Sequence, residues 1–471
     1  MTTSAQPRKA RGANSPSASA SSAKPRAAAG GASFRAKVRM YRQGLGDCFL
    51  ITIPRDDGGS YFIVIDCGVI LGTTDAAKMM TDVVQDIIAA TNGHIDLLIA
   101  THEHWDHLSG MVQAKALWQD KSKLTVDQVW VGWTENPADE LANQLRQEHQ
   151  SFRAKLAMAA SRMRAAGGSE TADEVMGMLE LFGAAGSGTT TDALNVVKGL
   201  SQNVRYCLPQ DAPVTLTGTS VRAYVLGPPH DQKLIMKFNP SASQPETYGM
   251  DAMKAAAGLL DVALDDSDES APFDDTFRIP LDPAKQMRFF QQYYWGEAGD
   301  SDEKNQSWRR IDTSWLDASS SLALQLDSAT NNTCVVLAFE LDGGDVLLFA
   351  ADAQVGNWLS WQALTWTVNG NTITGPDLLK RTIFYKVGHH GSHNATLRQL
   401  GLEEMTGLKY AFVPVNHEMA LKKRWGQMPF APLLDRLGEK TDQQVVRIDE
   451  DVPQKLATIV ASTTLYYEIS L

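Results

Sequence analysis

Thr101-His102-Glu103-His104-Trp105-Asp106-His107-Leu108-Ser109-Gly110 is a stretch that brings three histidines and two carboxylates together within six residues. The run before it, Ile95-Asp96-Leu97-Leu98-Ile99-Ala100, is short and mostly apolar, which predicts a buried strand. The cluster therefore follows a strand end, and open α/β sheets place their chemistry at such ends.

The spacing of these side chains suits two metal ions. His102 and His104 lie two residues apart, so both imidazoles can point to the same side of an extended loop. Asp106 and His107 follow on a tightening turn and can face a second position. Imidazole and carboxylate ligands suit zinc, manganese or iron rather than calcium. A solvated histidine-rich loop is the plain alternative, but the full pattern after a buried strand favours a metal site.

The pattern Thr-His-x-His-x-Asp-His-x-x-Gly resembles the signature of the metallo-β-lactamase fold. This resemblance implies the α/β class, as an αββα sandwich made of two βα halves, and a metal-dependent hydrolase activity. The predicted elements run in the order strands, helices, insertion, strands and helices, which fits that architecture.

Two further stretches resemble the hydrolase domain of the competence protein ComEC. The first is the turn Gly44-Leu45-Gly46-Asp47, followed by a strand that ends in Asp66-Cys67-Gly68. The second is Lys386-Val387-Gly388-His389-His390-Gly391-Ser392. In this subgroup Asp66 would be a support residue beneath the metal loop, a role compatible with simple capping of a turn. The resemblance covers about Val38 to Gly110 and Ser321 to Ile448.

The second half of the chain would complete the site. Asp352 follows a predicted buried strand and is placed to bridge two metals, although an N-cap is its plain alternative. His389 and His390 follow another strand end. Adjacent residues point apart, so we expect His390 to bind metal and His389 to face the substrate. A histidine common in the wider fold is missing, and His230 is the nearest substitute.

Composition limits the alternatives. The chain has 471 residues, a hydrophobic fraction of 43% and a formal charge of -12, so a broad basic surface for nucleic acid is excluded but a local groove is not. No apolar run approaches membrane-spanning length, so no membrane insertion is expected. Four scattered cysteines without a Cys-x-x-Cys pair favour a reducing compartment, and we expect a cytoplasmic protein.

Two regions fall outside the resemblance. Residues 1–33 are basic and rich in serine and alanine, which predicts a disordered tail; an organellar transit peptide is the alternative. Residues 34–471 would form the hydrolase domain, interrupted by a large, partly helical insertion over about 134–320. Regular alternation returns at Ser321–Leu326, which predicts a strand.

These observations lead to a hypothesis about function. Two divalent ions, zinc above manganese or iron, would activate a hydroxide for attack on phosphorus or carbonyl carbon. Asp106 would bind metal and orient the hydroxide, and His389 would assist the leaving group. The ComEC-like resemblance favours a phosphodiesterase or nuclease. A thioester, lactone or β-lactam hydrolase is the alternative, favoured by an apolar pocket of Trp105, Trp130 and Trp133. A metal-binding regulatory module with little turnover is the third.

Overall fold

The structure is a computed structural model. It describes residues 34–165, 175–177, 179–182, 188–237, 279, 281–295, 323, 326–423, 425 and 428–471. The predicted tail, residues 1–33, lies outside the described residues. So does much of the predicted insertion, including residues 238–278 and 296–322.

Strands from both ends of the chain build the molecule. Their bounds are β1 (Lys37–Tyr41), β2 (Cys48–Pro54), β3 (Ser60–Cys67), β4 (His94–Ile99), β5 (Thr125–Gly132), β6 (Val204–Cys207), β7 (Val214–Thr215), β8 (Arg222–Gly227), β9 (Val336–Glu340), β10 (Val346–Phe349), β11 (Thr365–Val368), β12 (Asn371–Thr374), β13 (Thr382–Lys386), β14 (Tyr410–Val413), β15 (Val445–Arg447), β16 (Val460–Ser462) and β17 (Tyr466–Ser470).

Helices connect these strands. The α-helices are α1 (Ala76–Thr91), α2 (Trp105–Gln113), α3 (Lys115–Trp118), α4 (Glu140–Ala165), α5 (Thr190–Gly199), α6 (Gln232–Ile235), α7 (Leu281–Gln286), α8 (Arg288–Phe290), α9 (Val355–Ser360), α10 (Gly375–Lys380), α11 (His417–Lys422) and α12 (Ala431–Lys440). Short 3₁₀ turns include Glu180–Phe182 and Gly388–Gly391, and residues 326–332 are also helical.

The strands form two large mixed sheets. Sheet A has the order β16-β17-β1-β2-β3-β4-β5-β6, and sheet B has the order β15-β14-β13-β10-β9-β8-β7. In sheet A, strands β3, β4, β5 and β6 run parallel to one another. In sheet B, strands β10, β13, β14 and β15 run parallel to one another. The remaining pairs in each sheet are antiparallel. Each sheet is therefore half parallel, and the small pair β11-β12 stands apart.

Three apolar clusters separate these layers. One lies between the sheets, where Phe49 of sheet A meets Phe349 of sheet B with ring centroids 5.7 Å apart. A second joins sheet A to α1 and α2, and a third joins sheet B to α9, whose Trp358 is fully buried. Helices thus cover the outer face of both sheets, and the predicted α/β class is confirmed.

Strand β4 shows why this sequence forms a central strand. Leu97 and Ile99 join the cluster between the sheets, whereas Leu98 joins the cluster on the helix side. Successive side chains of a strand point to opposite faces, so a strand covered on both faces needs an almost continuous apolar run. The run at 95–100 meets that requirement, and it delivers the histidine-rich loop to the edge of sheet A.

Within residues 134–320, the range of the predicted insertion, β6 pairs in sheet A and β7 and β8 pair in sheet B. One expectation about secondary structure is wrong. A strand was predicted over Ser321–Leu326, but residues 323 and 326–332 are helical. The leucine, alanine and glutamine of that run are strong helix formers, so its alternation did not exclude a helix.

None of the helices formed by the described residues is both long and apolar enough to traverse a bilayer.

Gly68 provides a test of how tightly this framework holds the histidine-rich loop. A Cβ at Gly68 would overlap backbone atoms of Asp106, where no flexible side chain can yield. We expect Gly68→Ala to lower the free energy of unfolding by about 2 kcal/mol or more, measured by urea denaturation. The control is Gly199→Ala, because nothing lies within 4 Å of its added Cβ. Equal stability of the two variants would contradict the close approach.

Candidate metal centre

Asp66 supports the loop that follows β4. It lies at the end of β3, fully buried, and its left-handed backbone has φ 55°. One carboxylate oxygen accepts the backbone N–H of Thr101 at 2.8 Å, and the other accepts the Thr101 hydroxyl at 2.6 Å. The second oxygen also lies 2.8 Å from Nδ1 of His107. Asp66 therefore fixes both ends of the loop.

The first two histidines of the loop meet face to edge. Nε2 of His102 lies 3.1 Å from Nδ1 of His104, and both rings are buried. Two imidazole nitrogens bound to one tetrahedral zinc at about 2.1 Å lie about 3.4 Å apart. Nδ1 of His102 faces away from this point and lies 3.0 Å from the hydroxyl of Thr101.

Helix α2 presents the other two residues of the motif. Asp106 and His107 lie in its first turn, so the helix brings both side chains to the strand edge. Nε2 of His107 lies 3.1 Å from Oδ2 of Asp352, a residue that follows β10 of sheet B. The rings of His102 and His107 are 4.2 Å apart between centroids, which joins the two halves of the motif.

Sheet B contributes His390 from the far side. Its Nε2 lies 3.0 Å from Oδ2 of Asp106 and 3.7 Å from Oδ2 of Asp352, while its Nδ1 lies 2.7 Å from the carbonyl oxygen of Pro414. His389 and His390 both have left-handed backbones, with φ 40° and 50°. Such conformations are unfavourable for residues other than glycine and concentrate at functional sites.

His389 occupies a different position from its neighbour. Its backbone N–H donates to Oδ1 of Asp352 at 3.1 Å, and its ring Nδ1 lies 3.0 Å from the hydroxyl of Ser392. The Gln354 amide lies 3.5 Å from the same nitrogen. The residue is half-buried, whereas the motif histidines and His390 are buried. This arrangement leaves the His389 ring at the accessible side of the cluster.

Asp47 and Lys386 complete the buried charges, and neither was assigned a role at the metal from sequence. The Lys386 ammonium pairs with Asp47, lies 3.5 Å from Oδ1 of Asp352, and donates to the carbonyl oxygen of Ala351 at 2.9 Å. Burial opposes its charge, but Asp47 and Asp352 outweigh burial and raise the pKa of Lys386. Lys386 is 1% exposed, so its charge is balanced by the carboxylates inside the cluster.

Asp47 approaches the histidines from behind. It lies 3.8 Å from Nδ1 of His107 and 3.7 Å from Nδ1 of His390, the nitrogens that face away from Asp352. The signal available in the sequence was the Gly-x-Gly-Asp turn, since Gly46 lets the Asp47 backbone donate to the carbonyl oxygen of Asp106 at 3.0 Å. The turn was recognised as part of the resemblance, but the side chain was given no function.

Opposite charges compensate one another across the cluster. Burial opposes ionisation of Asp106, yet His107 and His390 outweigh it and lower the pKa of Asp106 to about 2. Burial also opposes the charge of Asp352, and the same two histidines lower its pKa well below the ordinary value. In return Asp352 and Asp47 overcome burial and raise the pKa of His107. The carboxylates therefore stay ionised, and nearby positive charge is needed to compensate them.

The other pair of histidines is held neutral. Burial, with the positive charge of His107, lowers the pKa of His102 well below its ordinary value. Burial lowers the pKa of His104 to about 4. Neutral imidazole is the form that binds metal ions, so this pair is ready to coordinate at pH 7.

Several buried polar atoms in the cluster have no hydrogen-bond partner among the described residues, which tests whether a cation fits. They are Oδ1 of Asp47, Nε2 of His104, Oδ1 of Asp106 and Nε2 of His107. Leaving such an atom unpaired costs about 1–3 kcal/mol. One ligand atom each from Asp47, His107, Asp352 and His390 lies within 4.8 Å of the others, and this group could hold a metal ion. The donor set and the unpaired atoms both fit a divalent cation.

The structure brings together every residue predicted for the site. They are Asp66, His102, His104, Asp106, His107, Asp352, His389 and His390. His230, the substitute for the missing histidine, is elsewhere: its Nε2 lies 2.9 Å from Oδ2 of Asp139, and its ring packs on Trp133. It follows the cis peptide Gly227-Pro228, which ends β8, and it reaches α4 instead of the cluster.

Comparisons with known proteins do not assign the chain to a family. No protein-family model matches the sequence, and no curated protein matches it. The residues of the cluster and their geometry are therefore the basis for any statement about function.

The two adjacent histidines can be separated by experiment. We expect His390→Ala to weaken zinc binding by more than about 100-fold, because His390 faces Asp106 and Asp352. His389→Ala should retain zinc, since the ring contacts Ser392 and Gln354 instead. Competition with a chromophoric chelator measures both affinities. Loss of zinc from the His389 variant alone would reverse the assignment.

Glu103 connects the metal-binding loop to helices α4 and α5. Its Oε1 atom accepts from Arg153 at 3.2 Å, from the Thr190 hydroxyl at 3.0 Å and from the Thr191 hydroxyl at 3.1 Å. Burial opposes its charge, but Arg153 and the threonine hydroxyls outweigh it and lower the pKa of Glu103. Glu103 thus points away from the histidines of the cluster and anchors the loop to helices α4 and α5, together called the helical region.

A pH dependence follows from this anchor. The folded-state pKa of Glu103 is below its ordinary value of 4.5, so its contribution is present above pH 4.5 and is lost as the pH falls through the folded-state pKa. Glu103→Gln should lower the free energy of unfolding by about 2 kcal/mol at pH 7 and by less at pH 4, measured by urea denaturation. The control Glu418→Gln removes an exposed pair with Lys422 and should change little. A loss that grows towards pH 4 would contradict this role.

Proposed function

We propose that the chain is a metal-dependent hydrolase of the metallo-β-lactamase superfamily, acting on phosphodiesters. Its metal ligands are His102, His104, Asp106, His107, Asp352 and His390. Asp66, Asp47 and Lys386 hold these ligands in place from behind. The proposed resident ions are two divalent cations, with zinc favoured by the imidazole-rich donor set.

One observation carries this proposal: ring nitrogens from two different segments point inward at two buried carboxylates. His107 on α2 and His390 after β13 direct Nε2 towards Asp352, at 3.1 and 3.7 Å. His390 also meets Asp106 at 3.0 Å. The nitrogens of His102 and His104 converge beside them. This arrangement supports two neighbouring cation positions, which Asp352 would bridge.

The chain's own residues would divide the remaining work. When bound, the ions would lower the pKa of a water molecule and act as Lewis acids towards the substrate. Asp106, ionised at neutral pH, would accept a hydrogen bond from the attacking water through its unpaired oxygen. Burial lowers the pKa of His389 to about 4, so at pH 7 this ring is neutral and would hydrogen-bond to the developing charge rather than deliver a proton as imidazolium.

The choice of a phosphodiester substrate is supported by the sequence resemblance to the ComEC-like subgroup. The stretches that carry it, the turn at 44–47 and the segment 386–392, both lie at the cluster. The alternative thioester, lactone or β-lactam activity would be favoured by an apolar pocket of Trp105, Trp130 and Trp133. All three side chains are buried in the core, at 0%, 1% and 0% exposure, so that support is lacking.

Hydrolysis of bis(p-nitrophenyl) phosphate tests the proposal. The full chain should turn this substrate over with added zinc or manganese and stop when a chelator removes the metal. Asp352→Asn keeps the shape of the side chain but removes the charge between the two cation positions. We expect its rate to fall by at least about 100-fold, with metal content measured alongside.

The matched control is Asp345→Asn. Asp345 lies on sheet B just before β10 and pairs with Arg35 at the surface, at 2.8 Å, so its loss should leave the rate unchanged. Hydrolysis of a thioester, a lactone or a β-lactam in place of the phosphodiester would select the alternative substrate class. Metal binding without turnover of any of these would indicate a regulatory module, and failure to bind metal would refute the metal centre.

A further inference from the structure

A buried carboxylate outside the predicted ligand set faces the cluster. Oδ1 of Asp327 lies 3.7 Å from Nε2 of His104. Both atoms are buried, and neither has a hydrogen-bond partner among the described residues. The other oxygen of Asp327 accepts from the Asn331 side chain at 3.2 Å, which fixes the carboxylate in this orientation.

The three other histidines proposed as metal ligands show what His104 lacks. Each directs one ring nitrogen inward and places the other beside an oxygen. His102 uses the hydroxyl of Thr101 at 3.0 Å, and His107 uses Asp66 at 2.8 Å. His390 uses a carbonyl oxygen at 2.7 Å. Outer oxygens of this kind set the tautomer and orientation of metal-binding imidazoles.

We propose that Asp327 is the positioning residue for His104. Its carboxylate would accept the Nε2–H of His104, and Nδ1, which lies 3.1 Å from Nε2 of His102, would then be the metal-binding atom. Asp327 would thereby make His104 a stronger ligand without touching the metal. This inference rests on the proposed metal centre and adds a residue that no motif in the sequence indicates.

Asp327 connects helix α4 of the helical region to the proposed metal site. It belongs to the helical segment 326–332, which leads into β9. Leu326 and Ala329 of this segment are fully buried in a cluster with Leu145 and Leu156 of α4. Packing against α4 therefore fixes the position of Asp327 relative to His104, so α4 supports the site.

Zinc titration of the full chain tests this role. Asp327→Leu removes the acceptor at similar volume and should weaken one of the two zinc sites by about 10–100-fold while the stoichiometry stays at two. Asp327→Asn retains an oxygen and should recover part of the affinity. The control is Asp139→Asn. The Asp139 carboxylate pairs with His230 at 2.9 Å instead of with a residue of the cluster, so this variant should leave zinc affinity unchanged.

Ring-nitrogen NMR of the zinc-loaded wild-type chain gives a second readout. We expect His104 to carry its proton on Nε2 and to bind through Nδ1. Metal bound at Nε2, or a stoichiometry that drops to one in both Asp327 variants, would overturn the positioning role and make Asp327 a ligand. Unchanged zinc affinity in the Leu variant would also overturn it. A wild-type chain that binds no zinc would instead refute the proposed function.

Discussion

The buried carboxylate of Asp66 holds the rest of the site in place. It accepts a backbone N–H and a hydroxyl from Thr101 and contacts Nδ1 of His107, so a single group fixes the two ends of the metal-binding loop. Desolvating a carboxylate is costly unless hydrogen bonds compensate. Because Asp66 has these partners inside the protein, sheet A can end in a charged loop while its core stays apolar.

Electrostatic balance explains why the cluster needs contributions from both sheets. The Asp106 carboxylate lies on α2, which packs on sheet A, whereas Asp352 follows β10 of sheet B. Each is kept ionised by His107 and His390. Lys386 supplies a permanent cation between Asp47 and Asp352. A bound divalent metal would compensate the negative charge of the same carboxylates. The apolar layer between the sheets therefore determines the site indirectly, since it sets how closely the two strand edges approach.

The helical region acts on the site through two acids that point in different directions. Glu103 leaves the cluster to meet Arg153 of α4, whereas Asp327 approaches His104 from a segment packed on the same helix. Movement of α4 would therefore change both the anchor of the loop and the outer side of one histidine. If the proposed metal centre is correct, these contacts would let α4 influence metal affinity without supplying a ligand.

The sequence by itself determined the α/β class, the buried strand before the histidines and the eight residues gathered in the cluster. Those features are local, because strand periodicity and ligand spacing are properties of short segments. Only the tertiary structure decided the places of Asp47, Lys386 and Asp327, the exclusion of His230, and the pairing of β6 to β8 within the sheets. These depend on which distant segments meet across the core, and no periodicity within one segment records that contact.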